Sequence, residues 1–455
     1  MVFHVVAVPY PGRGHVNPMM SLCKILASSS MAPHELLITF VVTEEWQGLI
    51  GSDQNRPNNI RISTISNVLP SELVRGSDFP GFYEAVMTKM EAPFETLLRQ
   101  IETKVTLFIA DLELQWIVPL ANRWNIPVAF LWTSSASMFS MLLHSHLCLQ
   151  NGHLGIDLSE NGEKRVEYIP GVSSTRIADL PTIFNKSKND EKVLQLILQC
   201  ISNVKQVQYL LLNSIYELEP QAIDFLKVHY SFPVYSIGPA IPFIDIINNH
   251  PRNDNKPDYL QWLDSQPRGS VLYVSLGSFL SVSRGQIEEI VAGIGDSGVR
   301  FLWVARRDMS WIKQTCGIKG FVVPWCEQLR VLCHSSIGGF LSHCGWNSVV
   351  EATFAGVPVL TFPIFFDQTP NSKQIVEDWK VGWRGKAGVG PKSVVTREEI
   401  AGLVNKFMNS ESNEGEELRE RAKEVEKVSR RAIAEGGSSV NNLNAFVQDV
   451  LQRIQ

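Results

Sequence analysis

A chain of 455 residues is too long for a single hydrophobic core and implies two domains of roughly 200 residues each. Apolar residues make up 44% and charged residues 19%, an ordinary globular balance with enough apolar mass for two cores. The formal net charge of -5 supplies no field for nucleic acid or an anionic membrane, so neither is expected as a partner.

In chain order, Met1–Pro18 begins with an apolar run that stops after a few residues and carries no basic leader, which reads as a buried strand rather than a signal peptide. No stretch reaches the ~18 uninterrupted apolar residues that a membrane helix needs. Short apolar runs then alternate with segments of helical period, the signature of βαβ units on a parallel sheet. Strands are predicted at His4–Val8, Leu37–Val42, Ile60–Ile65, Leu107–Ile109, Val128–Leu131 and Tyr209–Asn213, with helices at Met19–Ser28, Tyr83–Lys104 and Gln115–Asn125. A second series of strands is predicted at Val271–Ser275, Phe301–Val304, Gly320–Val323, Gly338–Leu341 and Val357–Phe362. The fold class is therefore α/β, with two doubly wound parallel-sheet domains at 1–240 and 258–437. The segment 241–257, rich in Pro, Asn and Asp, is the linker. A last amphipathic helix, about 438–455, is expected to pack back on the first domain. Ligands in such folds sit at the carboxyl ends of the strands, so two such domains present a cleft between two strand-end faces. Seven cysteines, odd in number and scattered, suit a reducing compartment and make the cytosol the expected location.

The densest cluster of chemistry-bearing residues is Trp325–Gln368. A strand, the turn Ser342–Ser348 and helix-forming Val349–Ala355 make an anion site, because the first backbone N–H groups of a helix are unpaired and carry partial positive charge. On a net-negative chain the local positive potential must come from such helix ends and from histidine. Asn347, Ser348 and His343 add side-chain donors, and Glu351, one turn beyond Asn347, faces the same way to accept from hydroxyls. Each of Asn347 and Ser348 alone is an ordinary cap; Trp325, His343, Trp346, Asn347, Ser348, Glu351, Asp367 and Gln368 in one window are not explained by capping.

Three further positions lie at predicted strand ends. His15 follows a glycine-containing turn after His4–Val8; a lone histidine there is ordinarily a cap or surface residue, but transfer to a hydroxyl would need a base whose pKa lies near working pH, which histidine supplies. Asp111 follows Leu107–Ala110 and is either a loop cap or a functional carboxylate. Ser275–Ser278 reads as an ordinary βα turn. Gly293–Gly298 matches a dinucleotide fingerprint by letters but ends a helix and precedes a strand, the reverse of the required order, so it is a helix stop. Cys326, Cys333, His334, His343 and Cys344 lack metal-ligand spacing, and no metal is expected.

The window resembles, along its whole length and without a gap, the signature box of the plant UDP-dependent secondary-product glycosyltransferases of glycosyltransferase family 1. The resemblance implies the GT-B fold, two Rossmann-like domains facing a central cleft, with the donor on the carboxy-terminal one. It implies that Trp325 stacks on uracil, that the backbone of Cys326 bonds the base, and that Gln328 and Glu351 bond the ribose. His343, Asn347, Ser348 and Ser278 would hold the diphosphate, and Trp346, Asp367 and Gln368 the sugar hydroxyls. The terminal Gln368 goes with glucose. His15 would be the catalytic base, oriented by Asp111, in a single inverting displacement that yields a β-glucoside. The implied partners are UDP-glucose, as co-substrate rather than cofactor, and a small phenolic or terpenoid acceptor, acting on a single chain. Phe79, Trp132, Phe139, Phe184 and Phe366 are the candidate acceptor pocket, for which plain core packing is an equal reading. A nicotinamide-dependent enzyme would need a correctly placed fingerprint, which is missing; a silent donor-binding protein would not need His15 and Asp111.

Overall fold

The computed structural model describes residues 2–29, 35–51, 56–184, 188–244, 256–277, 282–305, 309–315, 319–385 and 394–454. The first sheet is built from β1 (Phe3–Val8), β2 (Leu36–Thr43), β3 (Ile60–Ile65), β4 (Leu107–Asp111) and β5 (Val128–Trp132). After a two-stranded antiparallel pair, β6 (Arg165–Val166) and β7 (Thr175–Arg176), it is completed by β8 (Tyr209–Leu212) and β9 (Val234–Ser236). Its order is β3-β2-β1-β4-β5-β8-β9, parallel throughout. The second sheet holds β10 (Val271–Ser275), β11 (Arg300–Val304), β12 (Gly320–Val323), β13 (Ile337–Ser342), β14 (Val359–Thr361) and β15 (Gly382–Arg384). Its order is β12-β11-β10-β13-β14-β15, again parallel.

Both faces of each sheet are buried, which is why these strands read as near-continuous apolar runs rather than as alternation. In β1, Val6 and Val8 enter one core while Phe3, Val5 and Ala7 enter the other. In β10, Val271 and Tyr273 are separated from Leu272 and Val274 in the same way. In each sheet the chain winds outward from a central strand and returns to that strand's other side, so the loops after β1 and β4, and after β10 and β13, diverge and leave a crevice. His15 and Asp111 stand at the first crevice, Gly277 and His343 at the second.

The predicted helix 83–104 is two helices, Phe79–Lys89 and Glu91–Gln100. Pro93 is the cause: a continuous helix would drive its ring into the Lys89 carbonyl, whereas in the first turn of a new helix its missing N–H costs nothing. β9 and β15, three residues each, and the two-residue β6 and β7 are too short for a periodic signal. Gly298, at φ 68°, terminates the helix Arg284–Ser297. The main chain leaves the first core at Ala240 and enters a core of the second sheet at Ile241; of the linker, residues 245–255 lie outside the described residues.

The final helix, Ser438–Ile454, returns to the first sheet. Leu443, Phe446, Val447 and Val450 join its core, Phe446 packs edge-on against Tyr209 at 5.4 Å, and Asn442 donates to the Ser236 carbonyl at 2.9 Å. Among the described residues no helix is long and apolar enough to cross a membrane.

The carboxyl ends of the two sheets face each other and are tied at several points. Trp346 Nε1 donates to the Asn213 carbonyl at 2.6 Å, Ser134 Oγ to Asp367 Oδ2 at 2.9 Å, and Gln374 Nε2 to Glu219 Oε1 at 2.7 Å. Arg384, at the end of β15, grips Asp179 of the first domain with two parallel bonds of 2.9 Å each. Asp179 is 3% exposed and is also held by Arg176 at 2.9 and 3.0 Å.

Candidate active site

The helix Arg13–Ser28 follows β1 after a four-residue turn and has no side-chain cap. This places His15 in its first turn, above the end of β4. His15 Nδ1 donates to Asp111 Oδ2 at 2.7 Å, and the Thr133 hydroxyl lies 3.1 Å from the same nitrogen. Asp111 is 1% exposed and its other oxygen accepts from the Glu113 backbone N–H at 3.0 Å. With Nδ1 so engaged, Nε2 is the nitrogen left to face the cleft. Burial alone would push the imidazole's proton affinity down, but the Asp111 carboxylate outweighs it and the net shift is upward. The Tyr10 ring packs on His15 with centroids 4.9 Å apart.

On the facing domain the helix Trp346–Ala355 starts earlier than the predicted Val349, capped by Gly345 with no side-chain cap. Trp346, Asn347 and Ser348 therefore occupy its first turn, where backbone N–H groups lack intrahelical partners. The turn that leads into it is held in shape by its own polar groups. Cys344 adopts φ 66°, its N–H donates to Ser342 Oγ at 3.0 Å, and its carbonyl accepts from Asn371 at 3.0 Å. The His343 ring is wedged between two glycines: a Cβ on Gly277 would lie 2.7 Å from His343 Nε2, and one on Gly345 2.6 Å. Burial lowers the His343 pKa to about 4. This corrects the expectation that histidine supplies positive charge here: the imidazole is neutral near pH 7 and offers only a hydrogen bond. The positive potential comes from the helix end.

The remaining residues that the resemblance assigns to a donor gather around this turn. Trp325 is 55% exposed, the one aromatic ring among the exposed large apolar side chains of the described residues. Cys326, next to it, turns its thiol into the core against the Tyr273 hydroxyl. Gln328 Nε2 donates to Glu351 Oε2 at 2.8 Å and to Ser348 Oγ at 3.0 Å, and its Oε1 accepts from Tyr273 at 3.1 Å. Burial raises the Glu351 pKa to about 7. Asn347 Nδ2 donates to the Gly14 carbonyl at 3.0 Å. Asp367 accepts from Ser134 and from Asn371 at 2.8 Å. Gln368 Oε1 accepts from the backbone N–H groups of Ile364 and Phe365 at 2.7 and 2.9 Å, so its oxygen shapes the loop and its NH2 is the part available to a ligand. The expectation for Trp346 needs correction in the same sense. Its indole is 4% exposed and its N–H is spent on Asn213, so only its backbone N–H can meet the sugar nucleotide. Ser278 lies outside the described residues.

The aromatic pocket is also corrected. Phe139 is 0% exposed, packed edge-on against Trp132 at 5.3 Å and Tyr230 at 6.2 Å. Trp132, whose N–H bonds the Ser135 carbonyl at 2.8 Å, and Phe184 are each buried in the same core. These three are packing residues. Phe79 and Phe366 are partly buried at the seam between domains; Phe79 meets Phe365 edge-on at 6.0 Å, and Phe366, at φ 60°, donates its backbone N–H to Thr182 Oγ1 at 2.6 Å. A groove of about 550 Å³ lined by Lys205, Tyr209, Phe232 and Arg453 lies at the opposite, amino-terminal ends of β8 and β9 and takes no part in the site.

Sequence reasoning did not single out Tyr10, Glu113, Thr133 or Ser134, and it took Gly277 only as part of the Ser275–Ser278 turn. All lie within three residues of a strand's carboxyl end, and that placement is the signal that finds them. Glu113 is 7% exposed, and burial raises its pKa to about 7 against the opposing pull of His15.

Comparison with known proteins agrees with this geometry. The family described as UDP-glucoronosyl and UDP-glucosyl transferase matches residues 184–412. UDP-glycosyltransferase 87A2 of Arabidopsis thaliana is 48% identical over 450 residues, 98% of this chain and 96% of that one. The crystal structure of Medicago truncatula UGT71G1 complexed with UDP-glucose superposes with a TM-score of 0.79 at 26% identity, over 99% of this chain and 98% of that one. Phytolacca americana UGT2 complexed with UDP-2fluoro-glucose and pterostilbene gives 0.80 at 26% identity, over 98% and 99%. The two facing parallel-sheet domains are thus the GT-B fold.

Proposed function

Because the chain belongs to the plant family 1 UDP-glycosyltransferases, we propose that it transfers glucose from UDP-glucose to a hydroxyl of a small apolar acceptor in one inverting step. His15 Nε2 takes the acceptor proton as the oxygen attacks the anomeric carbon. The bond from that carbon to the diphosphate breaks on the opposite face, and UDP departs with the electron pair. An α-linked donor then gives a β-glucoside.

The observation that carries this reading is the His15–Asp111 pair at 2.7 Å, standing across the seam from the first turn of the Trp346–Ala355 helix. Asp111 fixes the tautomer and stabilises the imidazolium formed during the step. The helix-end N–H groups and the neutral His343 meet the departing negative charge, so the proposal contains no resident cofactor. Gln368 and the UDP-glucose held by the Medicago relative support glucose; the pterostilbene held by the Phytolacca relative supports a phenolic acceptor. We propose further that the enzyme acts as a single chain in the cytosol, a location that the free thiols of the six described cysteines support.

The decisive measurement is proton NMR of the glucoside formed from UDP-glucose and a phenolic acceptor. A β anomeric signal is expected; an α signal overturns the single displacement. His15→Ala should lose transfer while UDP binding persists, and full activity in that variant removes His15 as the base.

A further inference from the structure

Beside the His15–Asp111 pair lies a second group of polar atoms that the transfer step does not use. The Tyr10 side chain is 3% exposed, and its hydroxyl has no hydrogen-bond partner among the described residues. An orphaned buried donor of this kind destabilises the fold until something accepts from it. Its ring lies between His15, at 4.9 Å, and Tyr83, at 5.7 Å. The Tyr83 hydroxyl faces the Glu113 carboxyl group and contacts Cys200 Sγ at 3.5 Å. Glu113 follows Asp111 by two residues and turns its side chain into the same space. The charged groups that face it are His15, Asp111 and Asp367, and those that bear on Tyr10 also include Glu72 and the cation Arg75, so acidic groups outnumber basic ones around the pair.

We infer that Glu113 and the Tyr10 hydroxyl form a polar subsite beside the base that holds a second hydroxyl of the acceptor. The same acidic surroundings turn carboxylate-bearing acceptors away. The orphaned Tyr10 hydroxyl donates to the acceptor's second oxygen, and Glu113 accepts its proton in a hydrogen bond. The acceptor class is therefore a neutral, apolar skeleton with at least two hydroxyls. This rests on the proposed transferase reading and narrows it. The backbone N–H of Glu113, not its side chain, holds Asp111, so replacing the side chain leaves the orientation of the base in place.

The test measures kcat/KM with UDP-glucose for catechol, resorcinol, hydroquinone, phenol and para-hydroxybenzoic acid. The enzymes compared are the wild type, Glu113→Leu, Glu113→Gln and Tyr10→Phe. The wild type should favour at least one of the three diols over phenol by about 10-fold, the worth of one good hydrogen bond. In Glu113→Leu and Tyr10→Phe that ratio should shrink to about 2-fold. Read at about pH 8, where Glu113 is mostly ionised, the hydroxybenzoate-to-phenol ratio should rise about 10-fold in Glu113→Leu and in Glu113→Gln, which removes the charge while keeping the shape. Should Glu113→Leu not fold, the other two variants carry the test. An unchanged diol-to-phenol ratio in the variants, or no diol preference in the wild type, overturns the subsite. A wild type that binds UDP yet glucosylates none of these phenols overturns the transferase reading beneath it.

Discussion

Asn347 donates its side-chain amide to the carbonyl of Gly14 at 3.0 Å, joining the first turn of the donor-side helix to the residue that precedes His15. Neither of the two helices so joined carries a side-chain cap, and both aim their amino ends at one space. An anionic leaving group placed there is met by partial positive charge from two directions, and the buried Arg75, which donates to the Pro11 carbonyl at 3.2 Å, adds a full positive charge beside the His15 turn.

The pH dependence of kcat/KM should report the His15–Asp111 pair. A base must be unprotonated, so activity falls as pH drops through its pKa. That pKa is raised above the ordinary histidine value of about 6.5, so the acid limb should lie above it. In Asp111→Asn the burial effect is no longer opposed by the carboxylate, and the limb should move below the ordinary value. Turnover in that variant should fall by about 10³- to 10⁴-fold, as when the orienting carboxylate of a catalytic triad is amidated. A limb that stays in place would disconnect the carboxylate from the base.

Trp325 should matter to nucleotide binding and not to folding. Its ring is 55% exposed, and a stacked base is worth about 1–3 kcal/mol. Trp325→Ala should weaken UDP roughly 10- to 100-fold and shrink the UDP-induced rise in Tm, with the nucleotide-free Tm unchanged. An equal rise in both proteins removes Trp325 from the donor site.

Gly277 should tolerate no side chain. It sits at φ 89° with His343 against it, so Gly277→Ala adds backbone strain of about 1–3 kcal/mol and displaces the imidazole. Both a lower Tm and a raised KM for UDP-glucose are expected. Gly285→Ala is the control: nothing lies within 4 Å of its Cβ position, and inside a helix the change should stabilise by about 0.5–1 kcal/mol.

The Arg384–Asp179 clamp should hold the domains closed. Arg384→Met keeps the length of the side chain but removes both bonds, and Arg176 still neutralises Asp179. We expect transfer to fall by roughly 3- to 10-fold and hydrolysis of UDP-glucose to rise relative to transfer, because a looser seam admits water. The ratio of free glucose to glucoside measures it directly; an unchanged ratio assigns the clamp to stability alone.

The reach of the sequence depended on whether a property was local. The turn 342–348 was legible because strand, turn and helix follow one another in the chain, and so was the placement of His15 and Asp111 at strand ends. The charge of His343 was not, since it depends on burial by Gly277, 66 positions away. Phe139 and Phe79 are the same letter in similar apolar runs; only the packing of Trp132 and Tyr230 around the first distinguishes core from seam. The indole of Trp346 was misjudged for a related reason, because its partner, Asn213, lies on the other domain. Glu113 was passed over because an isolated acidic residue in a loop carries no pattern.

The return of helix Ser438–Ile454 to the first sheet fixes the order in which the enzyme can mature. During synthesis the first domain emerges early, yet a helix's worth of its hydrophobic cover is encoded some 200 residues later, so its apolar flank at Tyr209 and Tyr235 must wait in solvent or under a chaperone until that helix has been translated. Closure of that core is in this sense a late event, although most of the residues that build it are translated early.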